Sequence, residues 1–492
     1  MNDVRRMSWG ALALSVFCLQ AQAAGSAAPD AIQARISRVE HGLSTRVVVK
    51  DSPDRRMALA DRMAFHQVPA VSIAVIDNGR VEWARAYGVL DAASGRPATP
   101  QTLFQAASIS KAVSAIGALR LVDQGALSLD KPANQQLKSW QIPDNAFTRG
   151  QPVSLRMLLN HGAGLNVHGF DGYAAGQTLP TLPQVLDGVA PANSAPIRVE
   201  AVPGTTWQYS GGGYSVVQLM VAEASQQPFA DYMQKAVLAP LGMTRSTFAT
   251  TLPPAWRDSA ATAHRGDGSA VPGRWHVYPE SAAAGLWTTP TDLAQLILEV
   301  QRSEARQSGK LLSRATSTTM LTRGLGEYGL GFFVENLGTT TSFGHSGGTE
   351  GFRSQIYGYT GSGKGAVVMT NSVNGAALID EILTSIAAEY GWPEFKVVEK
   401  AAVAVDAAAH LKVAGNYRLL NQPAQVIAEG GRLYFQSPLF GSRRMELFAE
   451  SEAAYFMTAQ DMSIRFELSG AGAAAGFSLI RGANTYPGTR LE

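Results

Sequence analysis

The sequence predicts an α+β fold: a central antiparallel sheet with a helical subdomain, followed by a small all-β domain. Three observations carry this expectation. The middle of the chain, from about Ser128 to Leu321, is rich in helical patterns and loops. On either side the apolar period drops to two, as in half-buried strands. After about Lys400 the texture changes to short alternating segments broken by glycine-containing turns. The chain has 492 residues. That is more than one hydrophobic core usually organises, so two or more domains are expected.

The first stretch reads as an export leader rather than as part of the fold. Arg5 and Arg6 form a basic start, Trp9 to Leu19 is a short apolar run, and Ala21-Gln22-Ala23 is a cleavage pattern. Residues 1–23 are therefore expected to be a signal peptide, with the mature protein periplasmic or secreted. The paired arginines suit either the general or the twin-arginine route. Cleavage would remove Cys18, the only cysteine, leaving no disulfide, no thiolate nucleophile and no cysteine metal ligand. The main domain is expected over 24–395, a linker over 396–409 (around the run AAVAVDAAA) and a small β-rich domain over 410–492.

Along the main domain, Pro69 to Asp91 is two strand-like runs around Asn78-Gly79, a strong hairpin signal. In FQAASISKAVSAIGALRLVDQG the residues Val113, Ile116, Leu119 and Val122 recur at helical spacing, and Gly125 suits the stop. Thr289-Pro290-Thr291-Asp292 starts another helix, with Thr289 as cap and Pro290 at the first position. GLGFFVEN, TSFGHSGG, FRSQIYGYT and KGAVVMTNS read as successive antiparallel strands, and ALIDEILTSIAAEYG as a closing helix.

Composition narrows the function classes. Hydrophobic residues make up 46% and charged residues 16%, which is globular. Net charge is +2 without a long basic run, so there is no electrostatic case for nucleic acid. Beyond the leader no segment reaches about 18 apolar residues, so the mature chain is expected to have no transmembrane segment.

Two serines compete for attention. Gly344-His345-Ser346-Gly347-Gly348 matches G-x-S-x-G, the nucleophile elbow, which needs a strand before the serine and a helix after it. The residues after Ser346 are glycine-rich and then strand-like. Only His410 lies downstream to complete a triad. With 49 glycines in the chain, such a pentapeptide arises readily by chance. The other serine is Ser108, in Ser108-Ile109-Ser110-Lys111. Positions three apart share a helical face, which sets an amine beside a hydroxyl that needs a proton acceptor. The helix N-terminus adds positive potential for a developing oxyanion. On the tetrapeptide alone, a plain N-cap with a solvated lysine reads equally well. Ser128-Leu129-Asp130-Lys131 has the same spacing, but Pro132 comes next and no apolar helix grows from it, so Ser128 reads as a turn residue.

Taken together, the ordered elements resemble the serine β-lactamase and penicillin-binding-protein superfamily. The likeness is greatest to class C β-lactamase-related proteins, which include esterases and D-amino-acid peptidases. Ser108-x-x-Lys111 looks like the first family element. Tyr209-Ser210-Gly211, within PGTTWQYSGGGYSVVQ, looks like the Y-x-N element. His345-Ser346-Gly347 looks like the K-T-G strand element. Val153–Leu165 and Ala282–Gln295 look like framework segments. The resemblance spans about residues 60 to 390; the C-terminal segment is similar to small lipocalin-like appendages. It implies a β-lactamase/transpeptidase-like fold over 24–395 and places GHSGG on a strand at the active-site edge, with Ser346 not the nucleophile.

The resemblance further implies an acyl-enzyme hydrolase of small-molecule or peptide substrates. Ser108 would be the nucleophile, with Lys111 and Tyr209 sharing proton transfer. A phenol, ordinarily near pKa 10, serves as a base at neutral pH only beside cations. The backbone N–H groups of Ser108 and Gly348 would form the oxyanion hole, with His345, Gly347, Gly348 and Gly211 on the substrate side. No metal or other cofactor is implied. Read singly, Tyr209 is a packing aromatic and His345 a satisfied strand histidine. His161 and His168 share a segment without any metal-ligand spacing and read as structural. Two departures count: Gly211 stands where the family has Asn, and His345 where it has Lys. No class A glutamate base motif is evident. The departures favour an esterase or peptidase over a true β-lactamase or DD-peptidase. A non-catalytic protein binding a cell-wall ligand is the alternative of another class.

Overall fold

The computed structural model describes residues 29–491, save 54–55, 306–309, 339, 441–443, 469–471 and 483. The expected leader, with Arg5, Arg6, Cys18 and the Ala21-Gln22-Ala23 pattern, lies outside the described residues. The main sheet is built from β1 Ala70–Asp77, β2 Arg80–Asp91, β3 Arg96–Pro97, β4 Phe333–Asn336, β5 Thr341–Thr349, β6 Phe352–Tyr359 and β7 Gly365–Thr370. The strands lie in the order β3-β2-β1-β7-β6-β5-β4, and every neighbouring pair is antiparallel. β1 and β2 join at Asn78-Gly79, where φ is 52° and 71°, the positive pair that a two-residue hairpin turn needs.

β1 is central, and all eight of its residues are buried. Alternation divides them between two cores. Val71, Ile73 and Val75 face one, while Ala70, Ala74 and Ile76 face the other. Five helices position the rest: α1 Pro29–Glu40, α2 Ile109–Asp123, α3 Gly211–Ser225, α4 Pro290–Glu304 and α5 Gly375–Tyr390. α1 and α5 cover the first face through Ile36, Val39, Leu378, Ile382 and Ile386. α4 lies on the second face, against β1 and β7, and α2 and α3 pack on each other in the same core. α4 starts as its sequence predicts, with the Asp292 N–H donating to the Thr289 hydroxyl at 3.2 Å.

One expected strand is shortened. GLGFFVEN is extended only from Phe333. Before it, Gly331 has φ of 94°, and a Cβ there would stand 2.5 Å from the Ala115 methyl on α2. The close approach to the helix, not the ladder, sets the backbone there.

The C-terminal part is a closed barrel: β8 Gly415–Leu419, β9 Gln422–Glu429, β10 Arg432–Gln436, β11 Met445–Ala449, β12 Ala454–Met457, β13 Met462–Glu467, β14 Gly476–Arg481 and β15 Asn484–Arg490. β8 also pairs with β15, which closes the ring and leaves no open edge. The interior is filled by side chains that include Tyr417, Phe435, Tyr455 and Phe477. The stretch read as a linker carries paired backbone. Val398–Lys400 runs parallel to Val47–Val49, the Val403 N–H donates to the Ala449 carbonyl, and Ala407–Val413 is helical. Among the described residues no helix is long and apolar enough to cross a membrane.

Candidate active site

α2 begins at a sharp turn. Phe104–Gln105 pairs with Trp287–Thr288, Ala107 takes a positive φ of 51°, and Ser108 then holds the N-cap position. Left-handed backbone is uncommon for alanine and is held here by burial on every side. The Ser108 hydroxyl makes no capping bond. Instead Lys111 Nζ donates to Ser108 Oγ at 3.1 Å and to the Ala283 carbonyl at 2.9 Å. Lys111 is 2% exposed, whereas Ser108 is partly open to solvent. The Lys111 nitrogen lies over the rings of Tyr209, at 5.0 Å, and Tyr214, at 5.7 Å. Of the two S-x-x-K matches, only this one sets lysine against serine. Ser128 Oγ accepts the Lys131 backbone N–H in a turn.

Tyr209 precedes the cap of α3. Ser210 Oγ accepts the Gly213 N–H at 2.9 Å and donates to the Asn166 carbonyl at 2.6 Å. The Ser210 N–H donates to His161 Nδ1, and the His161 ring lies 4.3 Å from that of Tyr209. His161 thus braces Tyr209 from behind, consistent with its reading as structural. Burial above all, then the charge of Lys111, holds its pKa well below the ordinary value. His168 is exposed and contributes its carbonyl.

β5 supplies the opposite wall. A Cβ at Gly347 would stand 2.2 Å from the Ala106 carbonyl and 2.4 Å from Ser354 Oγ. The bare backbone lets β5 lie against the turn that carries Ser108. The Thr349 hydroxyl donates to Gln105 Oε1, and that of Ser354 to the Ala106 carbonyl. Gly348 is exposed beside them. A cleft of about 830 Å³ continues along β5, lined by Ser346, Gly348, Tyr278, Arg353 and, from the barrel, Arg481. Ser346 sits mid-strand, paired with Gln355, and no helix succeeds it, so the elbow geometry is absent.

Two residues expected on the substrate side, His345 and Gly211, are buried. His345 is 1% exposed, and both ring nitrogens are engaged. A carbonyl only accepts, so Nδ1–H donates to the Ser346 carbonyl at 2.6 Å and Nε2 accepts from the Tyr328 hydroxyl at 2.9 Å. Burial and then Lys111 push its pKa down to about 3, so the ring is neutral. The His345 ring lies 6.3 Å from that of Tyr209. Gly211 is buried, its N–H donating to the His168 carbonyl. A Cβ there would already press on that carbonyl and on Phe170, so the loop fills the space that a longer side chain would use. Sequence reasoning missed Tyr328 and the Ala283 carbonyl. Neither belongs to a motif with chemistry; Ala283 lay in a recognised framework segment, and a backbone atom leaves no residue-type signal. Among the described residues no group of three or more His, Cys, Asp or Glu is placed to hold a metal ion.

The family model described as Beta-lactamase matches residues 56–389. The chain belongs to the beta-lactamase family. It is similar to penicillin-binding protein 4* of Bacillus subtilis (strain 168), at 25% identity over 87% of this chain and 96% of that one. It is also similar to esterase EstB of Burkholderia gladioli, at 34% over 38% of this chain and 48% of the esterase. Among solved structures, the octameric penicillin-binding protein homologue from Pyrococcus abyssi aligns with TM-score 0.60 and 22% identity, over 88% of this chain and 98% of that one. The D-amino acid amidase from Ochrobactrum anthropi SV3 aligns with TM-score 0.55 and 22% identity, over 67% and 97%. The two structures speak for the fold. Family and relatives place this beta-lactamase family member among serine hydrolases.

Proposed function

We propose that the protein hydrolyses an ester or amide through an acyl-enzyme on Ser108, as an esterase or peptidase rather than a dedicated β-lactamase. The single observation that carries the reading is the 3.1 Å contact between Lys111 Nζ and a Ser108 hydroxyl free of capping duty. In the proposed reaction, Ser108 Oγ attacks the carbonyl carbon and its proton passes to Lys111 or Tyr209. The same groups return a proton to the departing alcohol or amine. Water, activated by Tyr209, then releases the acid and regenerates Ser108. The N–H groups of Ser108 and Gly348 hold the oxyanion; losing one such donor typically costs about 10²–10³ in kcat.

The departures at Gly211 and His345 support the preference over penicillin. The former offers no amide, and the latter is neutral and turned inward. The names of an esterase and a D-amino acid amidase among similar proteins support the same substrate range. The leader pattern at 1–23 supports an exported protein. Fluorophosphonate labelling with mapping of the modified serine tests the proposal. Label is expected on Ser108, and Ser108→Ala is expected to lower ester turnover by about 10⁴-fold or more. Label on Ser346, or full turnover in the variant, would sink the mechanism.

A further inference from the structure

Two large aromatic side chains stand open beside the site: Trp207 is 36% exposed and Phe333 37%. Their ring centroids are 6.2 Å apart. Trp207 lies 6.2 Å from the Tyr209 ring and Phe333 lies 5.5 Å from that of His345. Tyr209 in turn meets the Lys111 nitrogen that holds Ser108 Oγ. The pair is thus the outer end of an aromatic surface that leads to the nucleophile. Both rings are held in place. A Cβ on Gly326 would stand 3.0 Å from the Trp207 ring, so bare backbone lies against it, and Phe333 packs edge-on against Tyr328 at 4.8 Å. Apolar area kept in water is unfavourable, and a ligand that covers it recovers that cost. Rings already fixed in place lose little further freedom on binding.

We infer that Trp207 and Phe333 form a subsite for an apolar acyl group, an alkyl chain or aryl ring next to the scissile carbonyl. The inference rests on the acyl-enzyme reading and narrows its substrates to apolar esters or amides. It makes Trp207 and Phe333 specificity-determining residues.

The test is a series of 4-nitrophenyl acetate, butyrate and hexanoate with the full chain. A fully buried methylene is worth about fourfold in affinity, so half-coverage gives about twofold each. The kcat/KM ratio of hexanoate to acetate is expected to be about tenfold or more. Trp207→Ala and Phe333→Ala each reduce that ratio at least threefold, and the double variant flattens it. Phe333→Leu, which keeps an apolar surface, retains most of it. Leu411→Ala, at an exposed residue of the helix Ala407–Val413, leaves the ratio unchanged. Equilibrium binding of hexananilide against acetanilide to Ser108→Ala protein reads the subsite without turnover and is expected to show the same preference and the same losses. Equal binding of the two anilides, or a preference that survives the double variant, overturns the inference. Absence of ester turnover in the unaltered protein overturns the acyl-enzyme reading instead, and the anilides still decide the subsite.

Discussion

Glu280 opens the short helix whose Ala283 carbonyl anchors Lys111. It is fully buried, and neither carboxylate oxygen has a hydrogen-bond partner among the described residues. Burial raises its pKa from 4.5 to about 7. The unfolded carboxyl ionises near 4.5, so between that value and about 7 the folded state holds the extra proton. Stability therefore falls as pH rises through this window, and the loss is complete above it. Glu280→Gln keeps the shape and never ionises. The difference between its denaturation midpoint and that of the unaltered protein is expected to grow in the variant's favour from pH 4.5 to 7, and the variant to be the more stable at pH 8. Parallel pH profiles would mean that Glu280 ionises as freely in the fold as out of it. The variant keeps His161 and His345, whose pKa values burial also lowers, so their titration is common to both proteins and cancels in the comparison.

At the scale of elements, the site depends on how closely β5 approaches the turn before α2. Gly347→Ala places a methyl 2.2 Å from the Ala106 carbonyl, a distance no structure tolerates, so strand or turn must shift. Moving Gly348 away from Ser108 removes the proposed oxyanion donor. The expected result is a fall in kcat of about 10²-fold, with circular dichroism unchanged. Unaltered kcat would show that the Gly348 N–H takes no part. The same pair of elements shows what was legible in the sequence. The hairpin at Asn78-Gly79, the cap at Thr289 and the alternation of β6 are local signals, and each could be read from a few residues. Ser108 and Lys111 share one helical turn, so their meeting was legible too. The environment of His345 was not. Its partner Tyr328 is 17 residues away and outside any motif, and strand position alone does not reveal which face is closed by aromatic packing. The surroundings of Gly211 were not legible for a related reason: the loop at 168–170 that lies against it is brought there by tertiary contacts. The strand start at Gly329 failed because the contact of Gly331 with α2 overrides strand propensity.

At the scale of the whole molecule, the described residues form three hydrophobic clusters. Two flank the main sheet, and the third lies within the barrel and shares no residue with them. A closed barrel satisfies its own backbone bonds, so its folding does not need the sheet. Yet the barrel also reaches the cleft along β5, which Arg481 at the end of β14 lines. Separate cores predict separate unfolding, whereas a shared cleft wall alone couples two domains weakly. Phe435 decides between these. Its side chain is fully buried in the barrel, against Phe440 and Phe477. Phe435→Ala is expected to cost the barrel about 3–5 kcal/mol. For a unit of this size that lowers its midpoint by more than about 10 °C. Calorimetry is expected to show one transition moved down and the transition of the main domain in place, with ester turnover at 25 °C intact. A single transition that shifts as a whole would mean that contacts such as Val403 to Ala449 bind barrel and sheet into one cooperative unit, and that the barrel is part of the catalytic scaffold.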